Sequence, residues 1–387
     1  MKTMSTNRYF YSFYFLVFFS FGALFPLLTV YLKDDVGLSG SQIGMIMSIS
    51  PVVMILIQPM WGVFSDYTQN PRQILIATLF FTALAGFAFS FVGGYAGLLV
   101  IAFLLAFSQS ALVPISDSIT LNYVQKTKGN YGSIRLWGAV GFAIAVLVSG
   151  KLSEYFSLIV IFYVFAIGLL IAMVVVFFLP KESQSMNVNI RDGIGTLMKM
   201  PKFVLFLVTT FLIFGPVFAN NFYFGLFITD IGGTVTGVGI AFLLAAGSEA
   251  PFMRFAGKWI SKFGLHSIMI SAALVSALRW VFYFFEPPLY IVYATTIAQG
   301  FSVGLFIPAA MQYVRDIAPV NVRATAVSLY TAVGNGLGSW FCTFLGGYIA
   351  EYFSVAYVYL FFGILTFGGL GLILYIRQAD QRALAEA

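Results

Sequence analysis

Four ionisable side chains stand inside long apolar runs of this 387-residue sequence: Asp117, Arg135, Glu249 and Arg279, with Arg254 near the cytoplasmic end of the run that carries Glu249. A charge at the centre of a bilayer costs about 2.5–3.5 kcal/mol on insertion scales, so such groups pair with one another or line a watery cavity. Asp117 (Pro114-Ile115-Ser116-Asp117-Ser118) and Arg135 occupy successive runs joined by a short loop, a spacing that adjacent antiparallel helices bring together. The two either orient those helices as an ion pair or present an acceptor and a donor to a polar solute. Glu249 (Gly247-Ser248-Glu249-Ala250-Pro251) and Arg279 form a second acid–base set. Desolvation discourages ionisation of a carboxylate and a nearby cation favours it, so an arginine that approaches and withdraws loads and releases a proton. A static pair is the other reading. Asn220, Asn221, Tyr223, Gln299 and Gln312 add neutral groups that either hydrogen-bond a solute or bridge helices.

These charges are conspicuous because so few exist: 60% of the chain is apolar and 9% charged, against about 25% charged in an ordinary globular protein. That balance excludes a soluble enzyme and points to a bilayer as the solvent. Cys342 and His266 are the sole cysteine and histidine, which excludes an internal disulfide and argues against zinc chemistry and Cys-His or Ser-His catalysis. No G-x-x-x-x-G-K-[ST] phosphate loop is present, so a primary pump is not expected. Neither enzyme activity nor a cofactor is expected. The net charge of +6 comes from basic residues scattered between apolar runs, which points to membrane topology and away from a nucleic-acid partner.

The elements that must position these residues are membrane helices. Runs long enough to cross about 30 Å of hydrocarbon fall near 9–32, 41–64, 73–93, 96–124, 131–150, 156–180, 202–228, 235–256, 267–285, 288–313, 322–350 and 354–376, twelve in all. The first follows Met1–Arg8 without a small-residue cleavage site and reads as a retained span. Sixteen Lys and Arg lie on the side of the N-terminus and only Lys33 and Lys151 on the other, which places both termini in the cytoplasm of a cell membrane protein. A polar linker at 181–201, with a short surface helix expected around Ile190–Met200, separates a six-helix bundle over 1–180 from another over 202–387. Weak internal repetition supports the halving. Gly44 and Gly62 recur as Gly239 and Gly257, Pro114 as Pro308, and Ala139-Val140-Gly141 as Ala332-Val333-Gly334. Parallel halves of this kind imply alternating access around a midplane site.

The loop after the second run, Gly62-Val63-Phe64-Ser65-Asp66-Tyr67-Thr68-Gln69-Asn70-Pro71-Arg72, resembles the G-x-x-x-D-x-x-G-R-[RK] signature of the major facilitator superfamily, with Pro71 where glycine is usual. The resemblance implies an all-α fold of twelve transmembrane helices in two pseudo-symmetric six-helix bundles. It also implies a cytoplasmic gate in which Gly62 lets helices approach while Asp66 accepts bonds from a helix N-terminus and Arg72. The matching second-half loop, Gly257 to Gly264, keeps the glycine and lacks the Asp. Gly22-Ala23-Leu24-Phe25-Pro26, Gln58-Pro59 and Tyr131-Gly132-Ser133-Ile134-Arg135 are similar to the lactose permease-like branch of oligosaccharide, nucleoside and phenylpropionate proton symporters.

By that resemblance Asp117 accepts from solute hydroxyl or amine groups, Arg135 donates to solute oxygens, and Glu249 with Arg279 couples protons. Phe142 stands where the family places a tryptophan that stacks on the sugar ring, with Trp137 nearby as a second platform. Two departures matter. The stretch Thr296–Ser302 is uncharged where the permease pattern has a lysine, a histidine and a glutamate, and Gly215–Asn221 lacks the pattern's carboxylates. The function expected is therefore secondary transport of a small polar organic solute such as a sugar, nucleoside or aromatic acid, by proton symport. Export of drugs or metabolites and uniport are the alternatives, and a monomer is expected. Asp117→Ala should abolish solute uptake while leaving membrane insertion intact; preserved uptake would refute the role assigned to Asp117.

Overall fold

A computed structural model describes the backbone of residues 2–127, 129–180 and 190–385, and their side chains except those of 2–5, 66, 190–193, 321, 324 and 383–385. Every regular element among the described residues is helical, as expected where hydrocarbon leaves backbone N–H and C=O groups no partner but each other. Among the described residues, ten helical segments are long and apolar enough to span a bilayer: Thr6–Asp34, Gly40–Ser65, Pro71–Phe89, Tyr95–Thr127, Tyr131–Tyr155, Pro201–Asp230, Val235–Phe263, Leu265–Phe284, Leu289–Ile317 and Val355–Arg382. The sixth expected run forms the shorter helix Val160–Val176. The eleventh is interrupted: Arg323–Thr331 and Ser339–Tyr352 are α-helical, and Ala332–Gly338 between them is π-helical. These twelve are called spans one to twelve. In the expected linker, residues 181–189 lie outside the described residues, and a short helix runs from Ile190 to Met198.

Local chemistry fixes the turns that carry candidate residues. Ser39 and Gln42 close a capping box at the start of span two. At its far end Gln69 takes a left-handed conformation (φ 51°), and Asn70-Pro71 then starts span three with proline in its first turn. That tight turn sets Arg72 at the head of span three. Span four is two helices, Tyr95–Gln109 and Leu112–Thr127, with Pro114 in the first turn of the second, where its missing N–H costs no hydrogen bond. Asp117 follows one turn later. Span five starts at Asn130, whose side chain accepts from Ser133 N at 3.3 Å, and Arg135 comes one turn in.

The chain forms two compact units, Met1–Met186 with Phe224–Leu243, and Asn187–Tyr223 with Leu244–Ala387. In the first, spans one and five meet at glycines: a methyl group on Gly141 would overlap the Phe15 carbonyl, and one on Gly22 the Phe142 backbone. The hairpin 224–243 packs into the same unit in the same way, with Gly239 against Leu147 and Gly150 against Val235. Its polar ties are a Lys33–Asp230 ion pair and Glu154 Oε1, which accepts from Thr236 N at 2.8 Å at the head of span eight. In the second unit, spans seven and eleven repeat the glycine device. A Cβ on Gly338 would lie 3.0 Å from the Phe211 carbonyl oxygen, and one on Gly215 2.8 Å from the Gly338 oxygen and 2.9 Å from Cys342 Sγ. The backbone crossing therefore pairs Gly141 with Gly338, one helical turn beyond the Gly334 of the sequence repeat.

Gly62 behaves differently from the expectation of close helix approach, because a Cβ there has nothing within 4 Å. Gly62→Ala should therefore leave the melting temperature of the detergent-solubilised protein unchanged or slightly raised, since nothing opposes the methyl group and alanine favours the helix. Gly141→Leu should lower it, since overpacking a closed contact typically costs about 1–3 kcal/mol; equal stability of the two variants would refute the glycine-crossing account.

Candidate solute-binding clusters

In the first unit, Tyr14 of span one, Asp117 and Thr120 of span four and Arg135 of span five gather around one point. The Tyr14 hydroxyl donates to Asp117 Oδ1 at 2.5 Å, and its oxygen lies 3.1 Å from Thr120 Oγ1. Arg135 does not reach the carboxylate: no ion pair joins Asp117 and Arg135 among the described residues. The guanidinium instead lies over the Phe18 ring, 4.0 Å from its centroid, and 5.6 Å from that of Tyr14. Tyr14 and Phe18 are one turn apart on the same helix face, with parallel rings. Tyr131 lies close enough to Asp117 and Arg135 to feel both charges. Asp117 and Arg135 are both half-buried, and neither saturates the other.

Phe142 is half-buried and meets Phe242 edge-on at 6.1 Å. Trp137 stacks on Tyr11 at 6.0 Å and is 43% exposed, which makes it a packing or lipid-facing aromatic in this conformation.

In the second unit, Arg279 is almost wholly buried, and its partner differs from the one expected. Its Nη1 donates to Gln299 Oε1 at 2.7 Å, and no ion pair joins it to Glu249 among the described residues. The guanidinium also lies 4.1 Å from the Trp280 ring and 5.4 Å from that of Tyr283, and its Nε has no hydrogen-bond partner. Tyr283 pairs with Thr295 at 3.2 Å, and Tyr359 donates to the buried Asn220 Oδ1 at 3.0 Å. Asn220 and Gln299 thus belong to one buried network with Arg279, while Asn221 is half-buried and Gln312 exposed. Glu249 sits where span eight crosses span ten: a Cβ on Gly300 would lie 2.7 Å from Glu249 N, and one on Gly304 2.9 Å from Glu249 O. This backbone contact, with Pro251 two residues on, locks the Glu249 segment against span ten.

At the candidate gate, Arg72 donates to the Phe177 carbonyl and lies 5.7 Å from the Phe177 ring. Asp66 is in the last turns of the span-two helix, and its side chain lies outside the described residues. Sequence reasoning missed Tyr14, Phe18, Tyr283 and Tyr359. In a chain with 44 Phe and 21 Tyr, no spacing sets these rings apart from packing aromatics, and only their membrane depth beside a charge gives a signal.

The sequence matches the MFS_1 like family over residues 9–361. The chain belongs to this major facilitator family. It is a multi-pass transporter of the permease branch, not an enzyme, and its substrate is a small molecule. Over 372 residues this family member is 50% identical to the maltose permease of Geobacillus stearothermophilus, covering 96% of this chain and 94% of that one. It is 27% identical to a probable 3-phenylpropionic acid transporter of Escherichia coli (strain K12), covering 88% and 90%. The crystal structure of the nucleoside transporter NupG shares its fold, with a TM-score of 0.86 at 17% identity over 96% of this chain and 98% of that one.

The buried facilitator arginine is open to a direct test. Gln299→Leu should destabilise the protein by about 1–3 kcal/mol, the cost of leaving a buried donor unsatisfied. The double variant Arg279→Met/Gln299→Leu should recover most of that loss. Thermal unfolding in detergent reads both, and an additive double variant would refute the pairing.

Proposed function

We propose that this transporter imports an oligosaccharide of the maltose class by proton symport across the cytoplasmic membrane, as a monomer with both termini in the cytoplasm. The observation that carries the reading is the unpaired state of Asp117 and Arg135, one held by a phenol and the other on aromatic faces. A sugar hydroxyl both donates and accepts, so it can bridge such a carboxylate and guanidinium. The 50% identity to a maltose permease over nearly the whole chain supports the substrate class. Phe142 would offer a ring face to the apolar side of the sugar. Asn220, Asn221 and Gln299 would supply neutral hydrogen bonds to the solute.

Glu249 is the proton-carrying group in this reading, because uptake of a proton removes the charge of a membrane carboxylate that has no cation at ion-pair distance among the described residues. Arg279, held by Gln299, would approach it in another conformation. Uniport is the second reading, favoured by the Arg279–Gln299 bond in place of a carboxylate pair. Bundles 1–180 and 202–387 would rock about the linker 181–201, and Gly62, Asp66 and Arg72 would close the cytoplasmic side.

Uptake of labelled maltose into proteoliposomes, with and without an inside-alkaline pH gradient, tests the proposal. Gradient-driven accumulation is expected, with Glu249→Gln retaining exchange and losing accumulation. Uptake indifferent to the gradient would overturn symport. Uptake of a nucleoside or phenylpropionate in place of maltose would overturn the substrate class.

A further inference from the structure

We infer that Tyr14 is a positioning residue for solute recognition, holding Asp117 apart from Arg135 so that both remain able to bind a polyhydroxylated solute. The inference rests on the reading of Asp117 and Arg135 as solute-binding groups.

Opposite charges on neighbouring helices in a low-dielectric setting attract strongly. Arginine and carboxylate then settle into a bidentate pair that uses up the donor edge of one and both oxygens of the other. A site closed in that way has little left for a hydroxyl. Three features of the first unit oppose that collapse. The phenol proton of Tyr14 is committed to Asp117 Oδ1, which fixes the carboxylate toward span one. The rings of Tyr14 and Phe18 take the flat face of the Arg135 guanidinium, at 5.6 and 4.0 Å. A cation–π contact of this kind occupies the face and leaves the N–H edge free. Gly138 then makes the seat: a Cβ there would lie 2.9 Å from Phe18 Cδ2 and 3.2 Å from Arg135 Nη1. Any larger residue would push the ring, the guanidinium or both out of the stack.

The consequence is selectivity by chemical class. A guanidinium with its N–H edge uncovered, near a carboxylate that is held by phenol groups and not by that cation, suits a group that accepts from one and donates to the other, which a hydroxyl does and a carboxylate solute does not. Tyr14 thus favours neutral polyols and sugars over organic acids without touching the solute.

Tyr14→Phe removes the hydroxyl and keeps the ring. The expected result is a KM for maltose raised about tenfold, the scale of one charge-assisted hydrogen bond, with the maximal rate little changed. Phe18→Leu, which removes the nearer platform and keeps the phenol, should raise KM in the same direction and covers the case in which Tyr14→Phe does not fold. The decisive readout is maltose affinity by calorimetry in the Asp117→Asn background. There Tyr14→Phe should add nothing, because its effect runs through the carboxylate; a role in packing alone would lower affinity equally in both backgrounds. An unchanged KM for a folded Tyr14→Phe protein, or equal penalties in the two backgrounds, overturns the inference. If Asp117→Ala still transports maltose, the proposed function itself fails. If Asp117→Ala is inactive while Tyr14→Phe is normal, only the role of Tyr14 falls.

Discussion

Hydrocarbon supplies no water to complete the bonds of a buried charge, and the arrangement of this transporter follows from how the protein answers that demand. Arg135 is answered by ring faces, Asp117 by a phenol and Arg279 by the amide of Gln299. In each case the partner is neutral. A neutral partner satisfies a charge less completely than an opposite charge would, and it leaves the group open to exchange. A carrier needs that openness, since a site sealed by ion pairs would hold its own residues more tightly than any solute. The helices are arranged accordingly. Pro114 lies in the first turn of the helix that carries Asp117, Asn130 caps the helix that carries Arg135, and glycine crossings bring span five close enough to span one for Arg135 to lie over the Tyr14 and Phe18 rings.

Much of this was legible in the residues themselves. Apolar length alone marks the spans, and the sparse charges within them mark the side chains that must find partners, because charge in a bilayer is costly. The Gly62 to Arg72 loop carries the superfamily resemblance, which the family match bears out. The pairing of the charges was not legible. Sequence spacing places Asp117 near Arg135 and Glu249 near Arg279, but it cannot show that a tyrosine from span one or a glutamine from span ten competes for the same bond. Such competition is decided by helix rotation, which leaves no periodic trace when nearly every position is apolar. The π-helical segment of span eleven was hidden for a related reason. Ala332–Gly338 reads as an ordinary glycine-rich stretch, and nothing in its spacing marks the π-helical hydrogen bonding.

The two units use one packing device with different polar finish. Both bring helices to backbone contact through glycine, a recurrent solution where van der Waals contact has to replace the hydrophobic effect between helices. The hairpin 224–243 adds polar ties near its exposed turn, Lys33 to Asp230 and Glu154 to the head of span eight. In the second unit the polar finish is at the helix ends, where Asp380 gathers Lys202, His266 and Tyr313. The lysine pairs among these, Lys33–Asp230 and Lys202–Asp380, are open to solvent and contribute little stability each. Within each unit the dry glycine crossings set how closely the helices approach.

Cys342 lies fully buried beside the Gly215 crossing, and it is the only cysteine in the chain. A thiol closed off by packing is inert to water-borne alkylating reagents. Any cysteine introduced at an exposed position is therefore the sole reactive thiol of an otherwise native protein. Site-directed accessibility labelling and spin-pair distance measurements can follow the working cycle in that background, without first removing a residue from the packed core.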